Sequence, residues 1–419
     1  MKLLIRQTRI ISPTSPFNGQ IKDILISNGL IETIADRITE NADQVIEEKG
    51  LCLSIGWMDI FTDFADPGYE SRESMESGAK AAAAGGFTDI MLIPNSNPVV
   101  DNKSQVEYLI QKAWNLPVNI HPIGAVTKRT EGKELSEMYD MRLSGALAFS
   151  DGTNAIQHSG LLLKALQYVK TIDATVVQVP DDKSIGQNGL MNEGIISTQL
   201  GLPGKPIMAE ELLVSRDIEL THYAESKLHI TGITSPKSLE YINRAKDGNI
   251  AVTCSVTPYH IYFCDEDLLG YDTNLKVDPP LRNRNDMMAL RQAVNEGKID
   301  CMASHHLPQD WDGKTCEFEY AKAGMIGLET LFAVVNTLGC PIGRFVEMQS
   351  VNTRKIFGIP LPVIEEGATA VLTLFIPDGE FIFSEKDIQS KSKNSPFIGK
   401  KLKGKVKGII NKNNFHLNY

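Results

Sequence analysis

Short apolar runs alternate with helix-period segments from residue 56 onward, which predicts an α/β chain built on a (β/α)8 TIM barrel. Strand-and-turn patterns at both ends predict a small composite β-sandwich beside it, formed from the two termini. The expected division is 1–53 for the N-terminal part of the sandwich, 54–363 for the barrel and 364–419 for the C-terminal part. A doubly wound open sheet is the alternative, but no Gly-rich dinucleotide turn follows the first strand.

The elements read in order as follows. "KLLIRQTRII", "DILISNGLIETIA" and "QVIEEKGLCLSI" are short strands of the first 53 residues. Barrel strands are expected at 57–62, 89–94, 118–126, 145–150, 175–180, 228–233, 250–256 and 299–304. Helix-period segments lie at 74–85, 155–170, 207–226, 236–246 and 284–297, with a last one at 326–338. The Pro-bearing stretch 359–365 reads as a return linker, and 367–383 and 401–417 as strands again. Lys401, Lys403, Lys405 and Lys407 recur at period two, which places them on one solvated face of an edge strand.

Composition narrows the partners. Net charge is −10, against nucleic acid and anionic membranes. No apolar run is long enough to span a bilayer, and the N-terminus lacks the apolar core of a signal peptide. The six cysteines are scattered, with no C-x-x-C pair, so they read as reduced, mostly buried thiols of a cytoplasmic protein.

In a barrel of this kind the chemistry sits at the C-terminal ends of the strands. Those ends offer Asp59, Phe61 and Asp63, then Asn95 and Asn97, then Lys128 and Arg129. Further on come Ser150-Asp151-Gly152, Gln178 with Asp181 and Asp182, Thr231-Gly232, Thr257 with Tyr259 and His260, and Ser304-His305-His306 with Gln309. A hydrolytic zinc site needs several His, Asp or Glu ligands and an open position. Only Asp63, Asp151 and His305 fall suitably, a set that favours a harder cation than Zn²⁺. Adjacent strand residues point to opposite faces, so His305 and His306 cannot both serve one centre. There is no G-x-S-x-G elbow and no phosphate loop. His121, His158, His222, His229 and His416 lack metal spacing and read as structural or surface residues.

Several segments carry a resemblance across almost the whole chain: "ESMESGAKAAAAGGFTDIMLIPNSNPVVDN", "IGAVTKRTEGKELSEM", "NEGIISTQLGLPGKPIMAEELLVSRDIEL", "VTPYH", "NLKVDPPLR", "GMIGLETLF", "EEGATAVLTLF" and "SKSKNSPFIGKKLKGKV". The sequence resembles a class I dihydroorotase of the amidohydrolase superfamily. The resemblance implies a barrel with a composite β-sandwich, bound zinc, and interconversion of carbamoyl-aspartate and dihydroorotate. The family's opening motif is D-x-H-x-H-x-R-x-P-G, where Asp59, Pro67 and Gly68 match. Phe61 and Asp63 stand at the two ligand histidines, and Ala65 at the substrate arginine. The ligand turn is reduced to Ser150-Asp151-Gly152, and Gln178 and Gly232 fall at two further ligand histidines. His305 stands at the catalytic aspartate, Gln309 at a substrate histidine and Asp278 at a substrate asparagine, while Asn95 remains.

Phe61 cannot ligate, Gly232 has no side chain, and no carboxylate at 305 is left to shuttle a proton. Without an arginine at 65 the bidentate clamp for a substrate carboxylate is missing. The resemblance therefore implies a degenerate member: a noncatalytic pseudoenzyme of pyrimidine biosynthesis, a homodimer that supports assembly of aspartate transcarbamoylase, with no cofactor. Two alternatives stand beside it. One is an active cyclic amidohydrolase with a rebuilt site around Asp63, Asp151 and His305. The other is a ligand-binding module lined by Asn95, Asp278, His305 and Gln309.

Overall fold

The computed structural model describes residues 2–418. Eight parallel strands run in sequence order around one sheet: Trp57–Thr62, Phe87–Leu92, Asn119–Gly124, Ala148–Phe149, Val176–Gln178, Leu228–Ile230, Val252–Val256 and Cys301–Met302. All eight overlap the strands read from the sequence. The seam between the first and eighth strands is closed by side chains and a short bridge. Thr62 pairs with His306, and the Asp63 amide donates to the His306 carbonyl at 2.9 Å. Asp59 accepts from the Ser304 amide at 2.7 Å and its hydroxyl at 2.8 Å. Met58, Ile60, Phe61, Met91, Ile123, Val177 and Cys301 pack together as one buried apolar cluster drawn from five of the strands.

The helices form where capping and an apolar stripe coincide. Met75–Ala84 starts at Ser74, whose hydroxyl accepts from the Ser77 amide at 3.2 Å. Pro236–Asp247 starts at Ser235 with proline in its first turn, and Arg284–Glu296 starts at Asn283 and stops at Gly297. The last expected segment, 326–338, is helical only over Leu331–Thr337. Its first residues are held extended, with Met325 bridged to His306 and the Ile326 amide on the Asn394 carbonyl at 3.1 Å. Lys103–Lys112 and Met138–Leu143 were not read as helices. The first of them buries only Val106 and Leu109, too narrow a stripe for periodicity to find, although its Asn102 cap is visible.

Both ends of the chain meet in one continuous sheet of eight strands. Cys52–Ile55 is its hinge, lying parallel to Lys2–Ile10 on one side and antiparallel to Val371–Ile382 on the other. Gly56 then leads straight into the first barrel strand. Trp57 marks that junction, its ring 4.9 Å from Phe345, 5.2 Å from Phe332 and 5.3 Å from Phe375. Arg354 locks the same place, donating to the Asp89 carboxylate at 2.6 Å and the Gly56 carbonyl at 2.7 Å.

The lysine stripe has the expected period, and cross-strand acids meet it: Lys401 with Glu380, Lys403 with Asp378 at 3.4 Å and Lys407 with Glu48 at 2.9 Å. Lys405 lies 4.5 Å from the Phe381 ring centroid. Asn414–Leu417 pairs only with 408–411, which leaves the lysine half with one strand neighbour. All six cysteines are free thiols, and Cys316 alone is not fully buried.

Between the sheet strands Val371–Ile382 and Lys401–Asn411, the chain returns to the barrel as a strap. Ser390 and the Lys391 amide bond the buried Glu73, and Asn394 donates to the carbonyls of Leu307 at 3.3 Å and Gly324 at 3.1 Å.

Candidate functional site

The first strand brings Phe61 to the barrel centre, fully buried, with its ring stacked on His305 at 4.3 Å between centroids and 28° between planes. His305 follows the eighth strand in a left-handed conformation, φ 42°. Its Nε2 lies 2.8 Å from the Thr231 hydroxyl. Burial pushes the imidazole down to about 3, so it is neutral at physiological pH. Gly232 lies against it at φ 71°, and a Cβ there would sit 2.6 Å from His305 Cε1. A side chain at 232 would thus meet both a strained backbone and the imidazole. His306 faces away, as alternation requires. Its Nδ1 accepts from the Gly327 amide at 3.2 Å, and its Nε2 lies 3.6 Å from Glu73.

The other positions marked from the sequence are each engaged elsewhere. Asp63 accepts from the Ala65 amide at 2.6 Å and lies 3.9 Å from the Arg72 guanidinium. Burial pushes its carboxyl up, against those two partners. Ala65 holds φ 56° to make that contact. Asp151 turns to Thr127, accepting from its amide at 2.8 Å and its hydroxyl at 2.5 Å. Gln178 exchanges hydrogen bonds with the Ile156 backbone at 3.4 and 3.5 Å.

Asp63, Asp151 and His305 therefore do not converge on a cation. Among the described residues, no group of three His, Cys, Asp or Glu side chains is placed to hold a metal. The residues at the resemblance's ligand positions do not fit zinc, because an aromatic ring fills the centre and the imidazole stacked on it already engages its Nε2 with Thr231.

Burial pushes the Asp151 carboxyl up to about 6, above the ordinary value of about 3.9. Below about pH 4 both folded and unfolded chains hold this proton, and up to about pH 6 the folded chain still does. Stability falls as pH rises through that window, by about 3 kcal/mol, and levels off above it. Asp151→Asn keeps an acceptor for the Thr127 amide and is expected to flatten this part of the curve in urea titrations. An unchanged slope would mean that Asp151 is ionised in the fold.

Of the polar remnants, Asn95 is spent on the neighbouring turn, donating to the Asp151 carbonyl at 3.1 Å and accepting from the Thr153 amide at 3.2 Å. Gln309 donates to the Ala323 carbonyl at 3.0 Å. Asp278 shares one cation with Asp181. Lys205, nearly buried, bonds it at 2.7 Å and Asp181 at 3.0 Å. Sequence reasoning missed Lys205, whose only signal is its place in a Pro-Gly-Lys-Pro segment. Arg72 was missed as well; its guanidinium lies 4.4 Å from the Tyr69 ring centroid. Asn95, Asp278, Gln309 and Arg72 line a cavity of about 620 Å³. Its apolar lining, Ile93, Val179 and Leu307, packs in the same cluster as Phe61. His305 does not line it.

The architecture is a (β/α)8 barrel joined to a sheet made from both termini. The structure superposes on L-hydantoinase (dihydropyrimidinase) from Arthrobacter aurescens with a TM-score of 0.86 at 20% identity, covering 100% of this chain and 97% of the other. A D-hydantoinase structure gives 0.81 at 20% identity, with 100% and 95% covered. Sequence sharpens the assignment. Residues 51–238 match the family described as Dihydro-orotase-like. The chain is 38% identical over 413 residues to the dihydroorotase of Syntrophus aciditrophicus, covering 97% of each. It is 37% identical over 411 residues to that of Pelotomaculum thermopropionicum, covering 96% of each. The chain belongs to the dihydroorotase-like family. No described helix is long and apolar enough to cross a membrane.

Proposed function

We propose that this chain is a noncatalytic member of its family that serves pyrimidine biosynthesis as a scaffold. The observation that carries the reading is the Phe61–His305 stack at the barrel centre. A ring occupies the first strand's ligand position, and a neutral, buried imidazole stands where the family resemblance calls for a catalytic carboxylate. Around this centre the framework is intact, so the fold is retained without its chemistry. The partner that the resemblance suggests is aspartate transcarbamoylase, with the chain itself a homodimer.

Co-purification of the tagged chain with the transcarbamoylase of its own organism tests the partner. The expected result is one complex larger than either protein alone. A transcarbamoylase that assembles identically without this chain, and never co-elutes with it, would rule the partnership out.

The cavity favours a second reading, a ligand-binding module without catalysis, because about 620 Å³ with convergent polar groups suits a small molecule. Thermal-shift measurements with dihydroorotate and carbamoyl-aspartate test it. A concentration-dependent rise in Tm supports it, and no rise at millimolar ligand refutes it for those two compounds.

A further inference from the structure

We propose that Phe61, Gly232 and His305 form one interlocked plug that fastens the strand ends in place of a metal ion, so that the chain folds without zinc and no single substitution readmits it. This rests on the reading of the centre as noncatalytic, and it adds what now holds that centre together.

Three contacts interlock. The Phe61 ring lies on the His305 ring, joining the first strand to the loop after the eighth. Gly232, after the sixth strand, leaves the room that His305 occupies, since a Cβ would sit 2.6 Å from its ring. Thr231, beside that glycine, bonds His305 Nε2 at 2.8 Å. The tie continues inward. Ser255 on the seventh strand donates to the Thr231 hydroxyl at 2.8 Å, and His229 Nε2 lies 3.0 Å from Ser255. His229 Nδ1 lies 2.9 Å from the Thr253 hydroxyl.

The chain of donors has one consistent direction. Thr253 donates to His229 Nδ1, His229 Nε2–H to Ser255, Ser255 to Thr231, and Thr231 to His305 Nε2. Each of the three groups from His229 to Thr231 both accepts and donates once. His305 therefore carries its proton on Nδ1, and its Nε2 lone pair is committed to a hydroxyl. A metal would have to break this chain as well as displace the Phe61 ring.

The three positions are consequently coupled. Histidine at 61 alone would face an imidazole whose Nε2 is taken and a glycine with no ligand to add. Histidine at 232 alone would collide with the His305 ring and hold φ 71° without glycine's freedom.

The test measures metal and stability, independently of turnover. The full-length protein is expressed in zinc-supplemented medium, dialysed and analysed for metal, and its Tm is recorded with and without EDTA. The expected result is zinc far below one per chain and the same Tm in both buffers. Phe61→His is expected to bind no zinc and to lose about 5–10 °C in Tm. Thr231→Val, close in shape, is expected to lower Tm and to shift the His305 ring-nitrogen signals in ¹⁵N NMR toward a tautomer mixture. Zinc near one per chain after dialysis, a Tm that EDTA lowers, or tight zinc binding by Phe61→His alone would each overturn the proposal. If Phe61→His does not fold, the native protein's metal content and EDTA response still decide it. A chain that hydrolysed a cyclic amide without zinc would sink the noncatalytic reading and leave the plug standing.

Discussion

Purified protein is expected to turn over dihydroorotate at least about 10⁴- to 10⁶-fold more slowly than a working enzyme, with or without added Zn²⁺. The effect is this large because the missing parts act as a unit. At 305 there is no carboxylate, and the imidazole that stands there is uncharged, buried and hydrogen-bonded to Thr231. No guanidinium stands at position 65, where Ala65 gives its amide to Asp63 and its carbonyl to the Tyr69 amide. Lys205, the cation beside position 278, is already shared by Asp278 and Asp181. Any rate measured in a preparation should be the same for Phe61→Leu, which marks it as a contaminant. Zinc-dependent turnover at about 1 s⁻¹ or above would sink the noncatalytic reading.

Arg354→Met is expected to destabilise the fold by about 3–5 kcal/mol. The guanidinium is 1% exposed and joins three parts of the molecule. It bonds Asp89 on the second barrel strand, the Gly56 carbonyl at the sheet-to-barrel junction and the Ser350 carbonyl at 3.0 Å. Burial pushes the Asp89 carboxyl up, but the hydrogen bond from His121 and the charge of Arg354 outweigh it and hold the group well below its usual range. Methionine fills much of the volume yet leaves a buried carboxylate without its cation and removes a donor from each of the Gly56 and Ser350 carbonyls. Urea unfolding of the variant, beside Asp89→Asn and the double substitution, measures the coupling. A loss below about 1 kcal/mol would place the pair with weak surface ion pairs and refute this account.

Much of the fold was legible because burial writes itself into periodicity. All eight barrel strands could be read, since a strand enclosed on both faces needs a continuous apolar run such as Trp57–Thr62. Lys103–Lys112 escaped because two buried residues make no stripe. At the site, the sequence showed which side chains were missing and not what replaced them. Phe61 could be recognised as unable to ligate, but its stacking partner is 244 positions away in the chain, and no local pattern joins the two. Nothing local to Asp278 pointed to its partner Lys205, which is 73 residues distant. The proposed metal trio failed for a related reason: Asp151 faces Thr127, a turn that spacing alone cannot orient.

The strap has a consequence in time. Glu73 precedes the first barrel helix, and its partners Ser390 and Lys391 are 317 and 318 residues downstream. The sheet strand Cys52–Ile55 likewise waits for Val371–Ile382. A ribosome adding about 5–20 residues per second leaves the first strands without these neighbours for roughly 15 seconds or more. The barrel mouth and the terminal sheet are thus completed only once residues 371–411 have been made. During that interval the apolar strands Trp57–Thr62 and Phe87–Leu92 lack these neighbours, and truncation before the strap should yield aggregates where truncation after it yields protein.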